Sequence, residues 1–168
     1  PIVCWRSGLT RTVPAGSATC IARGNANPPI LEFDPSGKLL RSLGAGLFAY
    51  PHGFTIAPDG NLWVSDVNDE ATVLGMSARN SDGVIMGQEV LKLSPTGKVL
   101  MMLGKEGLAG NGTDTFDRPT GVAIAPNGDV FVTDGHYPNK HMSARVVKFS
   151  KDGRFIKHWG STGTDKGQ

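Results

Sequence analysis

The chain repeats itself, and the repeat decides what it can fold into. Three segments read alike: ILEFDPSGKLLRSLG from Ile30, VLKLSPTGKVLMMLG from Val90 and VVKFSKDGRFIKHWG from Val146. Each is a strand-like run, a turn ending in glycine (Gly37, Gly97, Gly153), then a second run closing on glycine (Gly44, Gly104, Gly160). A second pair interleaves with them. FAYPHGFTIAPDGNLWVSDV from Phe48 matches FDRPTGVAIAPNGDVFVTDG from Phe116 at an offset of 68 residues. Self-similarity at fixed spacing marks an architecture in which each unit buries its faces against its neighbours.

The wording of each unit is that of strands and tight turns. Asn61-Leu62-Trp63-Val64-Ser65 and Asp129-Val130-Phe131-Val132-Thr133 are rich in the β-branched and aromatic residues that strands prefer. No window carries a helical period. The 23 glycines and 11 prolines suit many short strands joined by turns. Asp59-Gly60 and Asn127-Gly128 predict two-residue type I′ hairpins, with positive φ at both central residues.

One unit then holds four strands, expected at 54–57, 62–66, 90–93 and 98–103. Four-stranded antiparallel units repeated along a chain are propeller blades. A sandwich of unrelated hairpins is the alternative, and the constant offset argues against it. Strands expected at 2–5, 30–33 and 38–43 supply a first blade without its inner strand. The predicted organisation is a partial blade over 1–46, complete blades over 47–107 and 108–161, and a linker at 162–168. A propeller closes with at least about four blades. The all-β chain, with about 2.75 blades, is therefore expected to be part of a longer one.

Composition excludes several roles. Seventeen Lys and Arg stand against 15 Asp and Glu with no run of either sign, so a nucleic-acid partner is not expected. No apolar stretch reaches the 18 or so residues of a membrane span. Cys4 and Cys20 are too few for a disulfide-rich scaffold or a four-thiolate zinc site. They either pair across the first long connection in an exported protein or leave Cys4 as a buried strand residue.

The functional residues gather on one rim. The second strand of a blade runs antiparallel to the first, so the start of one and the end of the other meet. That rim collects Arg6, His52, Asp66, Asp134, His136 and Tyr137. The long connections 7–29, 68–89 and 135–144 leave from it too. Long loops on one face of a rigid scaffold are where binding usually resides. A small-molecule or peptide substrate is expected there.

The two complete units act as each other's control. Pro51, Gly53 and Asp66 match Pro119, Gly121 and Asp134, but His52 matches Thr120. The repeat therefore does not require histidine at that place. His52 reads either as a metal ligand or as a solvated channel histidine. The recurrence of Asp66 and Asp134 points to a structural role, in which each carboxylate bonds nearby backbone amides. Arg6 is either an anion clamp or an exposed strand-end residue. His158, on an outer strand, reads as structural; His141, in a polar loop, reads as a surface histidine with metal ligation as its alternative.

These units resemble NHL repeats, which build six-bladed propellers. More particularly the chain resembles the peptidyl-α-hydroxyglycine α-amidating lyase family and its bacterial relatives. The resemblance is carried by Tyr50-Pro51-His52-Gly53-Phe54, Trp63-Val64-Ser65-Asp66-Val67, Phe116-Asp117-Arg118-Pro119-Thr120 and Val132-Thr133-Asp134-Gly135. It implies a central zinc held by three histidines from Pro-His motifs, of which His52 is the first. It also implies a structural calcium bound in part by the main-chain carbonyl of Phe54, and a pocket arginine at Arg6. The family's catalytic tyrosine directly follows an Asp-Gly pair; here His136 holds that place and Tyr137 comes one later. The implied reaction splits a peptidyl-α-hydroxyglycine into an amide and glyoxylate, in a secreted or periplasmic setting. The alternative is a non-catalytic NHL propeller that binds a peptide, glycan or protein through its loop-rich face.

Overall fold

Five short turns of one chemistry shape the molecule. In each, the glycine N–H returns to the carbonyl three residues earlier: Gly37 to Asp34, Gly60 to Ala57, Gly97 to Ser94, Gly128 to Ala125 and Gly153 to Ser150, at 2.9–3.0 Å. Only the glycine has positive φ, between 79° and 88°. These are three-residue loops, a type I turn followed by a glycine bulge, and not the type I′ turns expected of Asp59-Gly60 and Asn127-Gly128. The reason lies one residue earlier. Pro35, Pro58, Pro95 and Pro126 open four of the five loops. Proline's fixed φ suits the first central position of a type I turn, so the turn starts there.

The computed structural model describes residues 2–4, 21–22, 25–26, 28–68, 82–136 and 143–165, all of them strand, turn or irregular chain without helix. The strands are β1 (Ile2–Cys4), β2 (Ile21–Ala22), β3 (Asn25–Ala26), β4 (Ile30–Phe33) and β5 (Leu39–Leu43). They continue as β6 (Pro51–Ile56), β7 (Leu62–Asp66), β8 (Glu89–Leu93) and β9 (Val99–Gly104). The last set is β10 (Pro119–Ile124), β11 (Val130–Asp134), β12 (Arg145–Phe149) and β13 (Phe155–Trp159). They form sheets in the orders β1-β4-β5, β6-β7-β8-β9 and β10-β11-β12-β13, with every pairing antiparallel. A small β2-β3 hairpin lies within the first long connection.

The inner strands begin earlier than the sequence suggested, at Pro51 and Pro119 rather than three residues on. A bulge hides their start. Pro51 pairs with Asp66 and Phe54 with Val64, which leaves His52 and Gly53 opposite Ser65 alone. The proline opens a strand that has a ladder neighbour on one side only, where its missing N–H is tolerated.

Side-chain alternation then joins the sheets. Along β7, Leu62 and Val64 enter one cluster with Ile30, Phe48, Leu91 and Leu93. Trp63 enters the other, with Val90, Leu103, Phe116, Val130, Val132, Val147 and Phe149. All five residues of β7 are buried because its sheet is covered on both faces. On β11, Val130 and Val132 are buried, while Phe131 turns away and meets Trp159 edge-on at 6.2 Å. Each unit also lays a lysine over its second-strand aromatic: Lys92 over Trp63 at 5.5 Å and Lys148 over Phe131 at 5.4 Å.

Candidate functional site

Two buried aspartates anchor the rim. Asp66, at the end of β7, accepts the N–H groups of Ala49 and Tyr50, each at 2.7 Å. Asp134, at the end of β11, accepts the N–H of Asp117 at 2.7 Å and Nε of Arg145 at 2.8 Å. Both carboxylates thus fix the backbone that leads into an inner strand. This is the structural role their recurrence implied.

The bulge in β6 then presents His52. Bulges re-aim side chains, and this one stands where β6 meets β10 of the neighbouring sheet. A Cβ on Gly53 would lie 2.6 Å from the Thr120 carbonyl oxygen and 2.7 Å from Gly121 Cα, so only glycine allows the two backbones to approach this closely. The Gly53 N–H is taken up by Ser65 Oγ at 2.8 Å.

His52 Nδ1 lies 3.0 Å from the main-chain oxygen of Thr120. A carbonyl can only accept, so Nδ1 carries a proton, and in the neutral ring the lone pair is on Nε2. Metal-binding histidines are held in this way, with one ring nitrogen donating to a carbonyl and the other directed at the ion. The ring of His136, just beyond β11, lies 5.3 Å from that of His52 at an interplanar angle of 65°. The Tyr50 ring lies with its centroid 6.5 Å from that of His52.

The NHL repeat family matches residues 48–70 and 116–143, the two stretches that carry these inner strands and rim residues. The chain carries NHL repeats. Among relatives, it is 37% identical over 135 residues to the peptidyl-glycine alpha-amidating monooxygenase of Mus musculus, covering 78% of this chain and 11% of that protein. It is 34% identical over 132 residues to peptidyl-alpha-hydroxyglycine alpha-amidating lyase 1 of Drosophila melanogaster, covering 78% and 20%. A probable lyase of the same description in Caenorhabditis elegans is 33% identical over 131 residues, covering 77% and 31%. The chain therefore spans between about a tenth and a third of the length of these curated relatives.

Of the candidate residues in the NHL units, the structure brings His52 and His136 together. Phe54 lies two residues past His52 on β6, its side chain packed against the Ile30–Phe48 cluster. Arg6 and Tyr137 lie outside the described residues, as do Cys20 and His141. His158 lies on β13 against Phe155 and Nη1 of Arg145. Among the described residues, no three His, Cys, Asp or Glu side chains group to hold a metal, and no helix is long and apolar enough to cross a membrane.

Sequence reading missed the residues that tie the two NHL rims together. Gln88 and Arg118 are the non-glycine residues with positive φ among those described, at 69° and 66°. Such a conformation costs of order 1 kcal/mol or more and persists only where the surroundings hold it. Here Gln88 Oε1 accepts the N–H of Arg118 at 2.7 Å, and Gln88 Nε2 donates to the carbonyl of Asn68 at 2.8 Å. No motif announces this bridge.

The two NHL units differ sharply in charge beneath the rim. Opposite Asp134, strand β12 supplies Arg145; opposite Asp66, strand β8 supplies Glu89. Glu89 is buried, and its Oε2 has no hydrogen-bond partner among the described residues. Burial first, then the charges of Asp66 and Glu106, push its carboxyl up to about 9. Burial also raises Asp66, against the pull of its backbone donors.

Proposed function

We propose that this chain supplies part of the rim site of a metal-dependent lyase that splits a peptidyl-α-hydroxyglycine, or a related α-hydroxy amide, into an amide and glyoxylate. The observation that carries the reading is His52, a histidine the repeat does not need, held by the Thr120 carbonyl with its lone pair on Nε2. Identity of 33–37% to proteins named for amidating chemistry supports it.

The donor chemistry fits zinc. His52 would be one ligand of the zinc, and the main-chain carbonyl of Phe54 would serve a structural calcium. Bound zinc supplies Lewis acidity toward the substrate hydroxyl. Arg6 pairs its guanidinium with the substrate carboxylate and fixes its orientation. Tyr137 or His136 accepts the hydroxyl proton. The C–N bond then breaks, the nitrogen regains a proton as the amide, and the carbonyl carbon leaves as glyoxylate.

A second reading has its own support. His136 stands where the lyase family carries its catalytic tyrosine, which favours a non-catalytic NHL propeller that binds a peptide, glycan or protein on this face. The two separate in one assay. Full-length, metal-replete protein incubated with a short peptidyl-α-hydroxyglycine is expected to release glyoxylate and amidated peptide in equal amounts. Release no faster than in buffer alone would discard the lyase and leave the binding module.

A further inference from the structure

His52 and His136 are both departures from the repeat. Where one NHL unit has His52 the next has Thr120, and where the latter has His136 the former has Asn68. Asn68 is a buried bridge: its Nδ2 donates to the Met86 carbonyl at 2.6 Å, and its own carbonyl accepts from Gln88. His136 is exposed. Neither histidine is therefore explained by the blade, yet the two meet across the blade boundary.

Their spacing is informative. Two imidazoles bound to one zinc by bonds of about 2.0–2.1 Å, at a tetrahedral angle, have ring centroids about 5 Å apart. The observed separation is 5.3 Å. The Thr120 carbonyl fixes the proton of His52 on Nδ1, so Nε2 is the donor. Exposure of His136 gives an ion a way in from the rim.

We propose that His52 and His136 form a two-imidazole chelate for a divalent, nitrogen-preferring metal of the zinc class. His136 is then a metal ligand and not a replacement for the tyrosine base. It takes one of the three protein positions of a catalytic zinc and leaves the fourth open to substrate, so the proton-accepting role falls to Tyr137. The inference rests on His52 being a metal ligand and extends that reading to the neighbouring blade.

The test uses full-length protein, zinc competition against a chromogenic chelator, and the visible spectrum of the cobalt-substituted form. His136→Ala should weaken zinc at least about tenfold, the low end of what even an outer-sphere partner of a metal site contributes. The cobalt bands should shift as a nitrogen ligand is lost. His136→Asn installs the residue the preceding unit carries at that place and should weaken zinc to the same degree with the fold intact. Unchanged affinity and spectrum in both His136 variants, with metal lost from His52→Ala, would overturn the chelate and leave His52 as a ligand. Zinc retained in all three variants would overturn both the chelate and the metal reading beneath it.

Discussion

Arg145→Ala is expected to destabilise the protein by about 3–5 kcal/mol, the range for removing one partner of a buried ion pair. Asp134 and Arg145 have side chains only 0% and 5% exposed, and their bond is 2.8 Å. Arg145 also donates to the carbonyls of Asn111, Gly112 and Thr115 at 2.6–3.0 Å, so it staples the connection before β10 to the rim. Alanine leaves the Asp134 carboxylate buried without its counter-charge. Asp134→Asn combined with Arg145→Met should recover part of the loss, because neither side chain of the pair is then charged and the Asp117 N–H keeps an acceptor. Urea midpoints of the full-length variants read the effect. A loss for Arg145→Ala within the roughly 0–1 kcal/mol of a surface ion pair would contradict the assignment.

Stability is also expected to fall as pH rises from mildly acidic to alkaline, and Glu89 is the reason. The fold favours the protonated form of Glu89, whereas the unfolded chain releases that proton in the ordinary carboxylate range. The contribution is therefore complete below about pH 4.5 and is lost as pH climbs toward about 9, at up to roughly 1.4 kcal/mol per pH unit for one proton. Asp66, raised by burial, adds to the same slope. The charged groups that act on Glu89 among the described residues are Asp66 on β7 and Glu106 beyond β9, both acidic, while a backbone hydrogen bond from Gly87 pulls the other way. Glu89→Gln should be progressively more stable than wild type as pH increases. A stability difference between the two that does not change from pH 5 to 9 would show that Glu89 is ionised throughout.

The sequence exposed the architecture because its signals are local and repeated. A strand such as Leu62–Asp66 is written in five adjacent residues, and its repeat at Val130–Asp134 confirms it. The turn type misled because Asn-Gly and Asp-Gly are judged as pairs, while Pro58 and Pro126 set the loop one residue earlier. The bulge at His52-Gly53 was masked since a strand pattern assumes strict alternation; the interior glycine was its only sign. Glu89 and Arg145 stand at equivalent places in EVLKL and RVVKF. Their meaning appears only with the register that sets them against Asp66 and Asp134. The approach of His52 to His136 depends on how neighbouring blades pack, which no single segment encodes.

The central claim is that His52 is a metal ligand on the rim of an NHL propeller, and zinc content measures it most directly. Full-length wild type and His52→Ala, purified identically, would be compared by elemental analysis alongside a circular dichroism spectrum. Because Thr120 shows that the repeat tolerates another residue there, the variant should keep its β spectrum and lose its zinc. Equal zinc in the two proteins would contradict the account and place the chain with the non-catalytic binding modules.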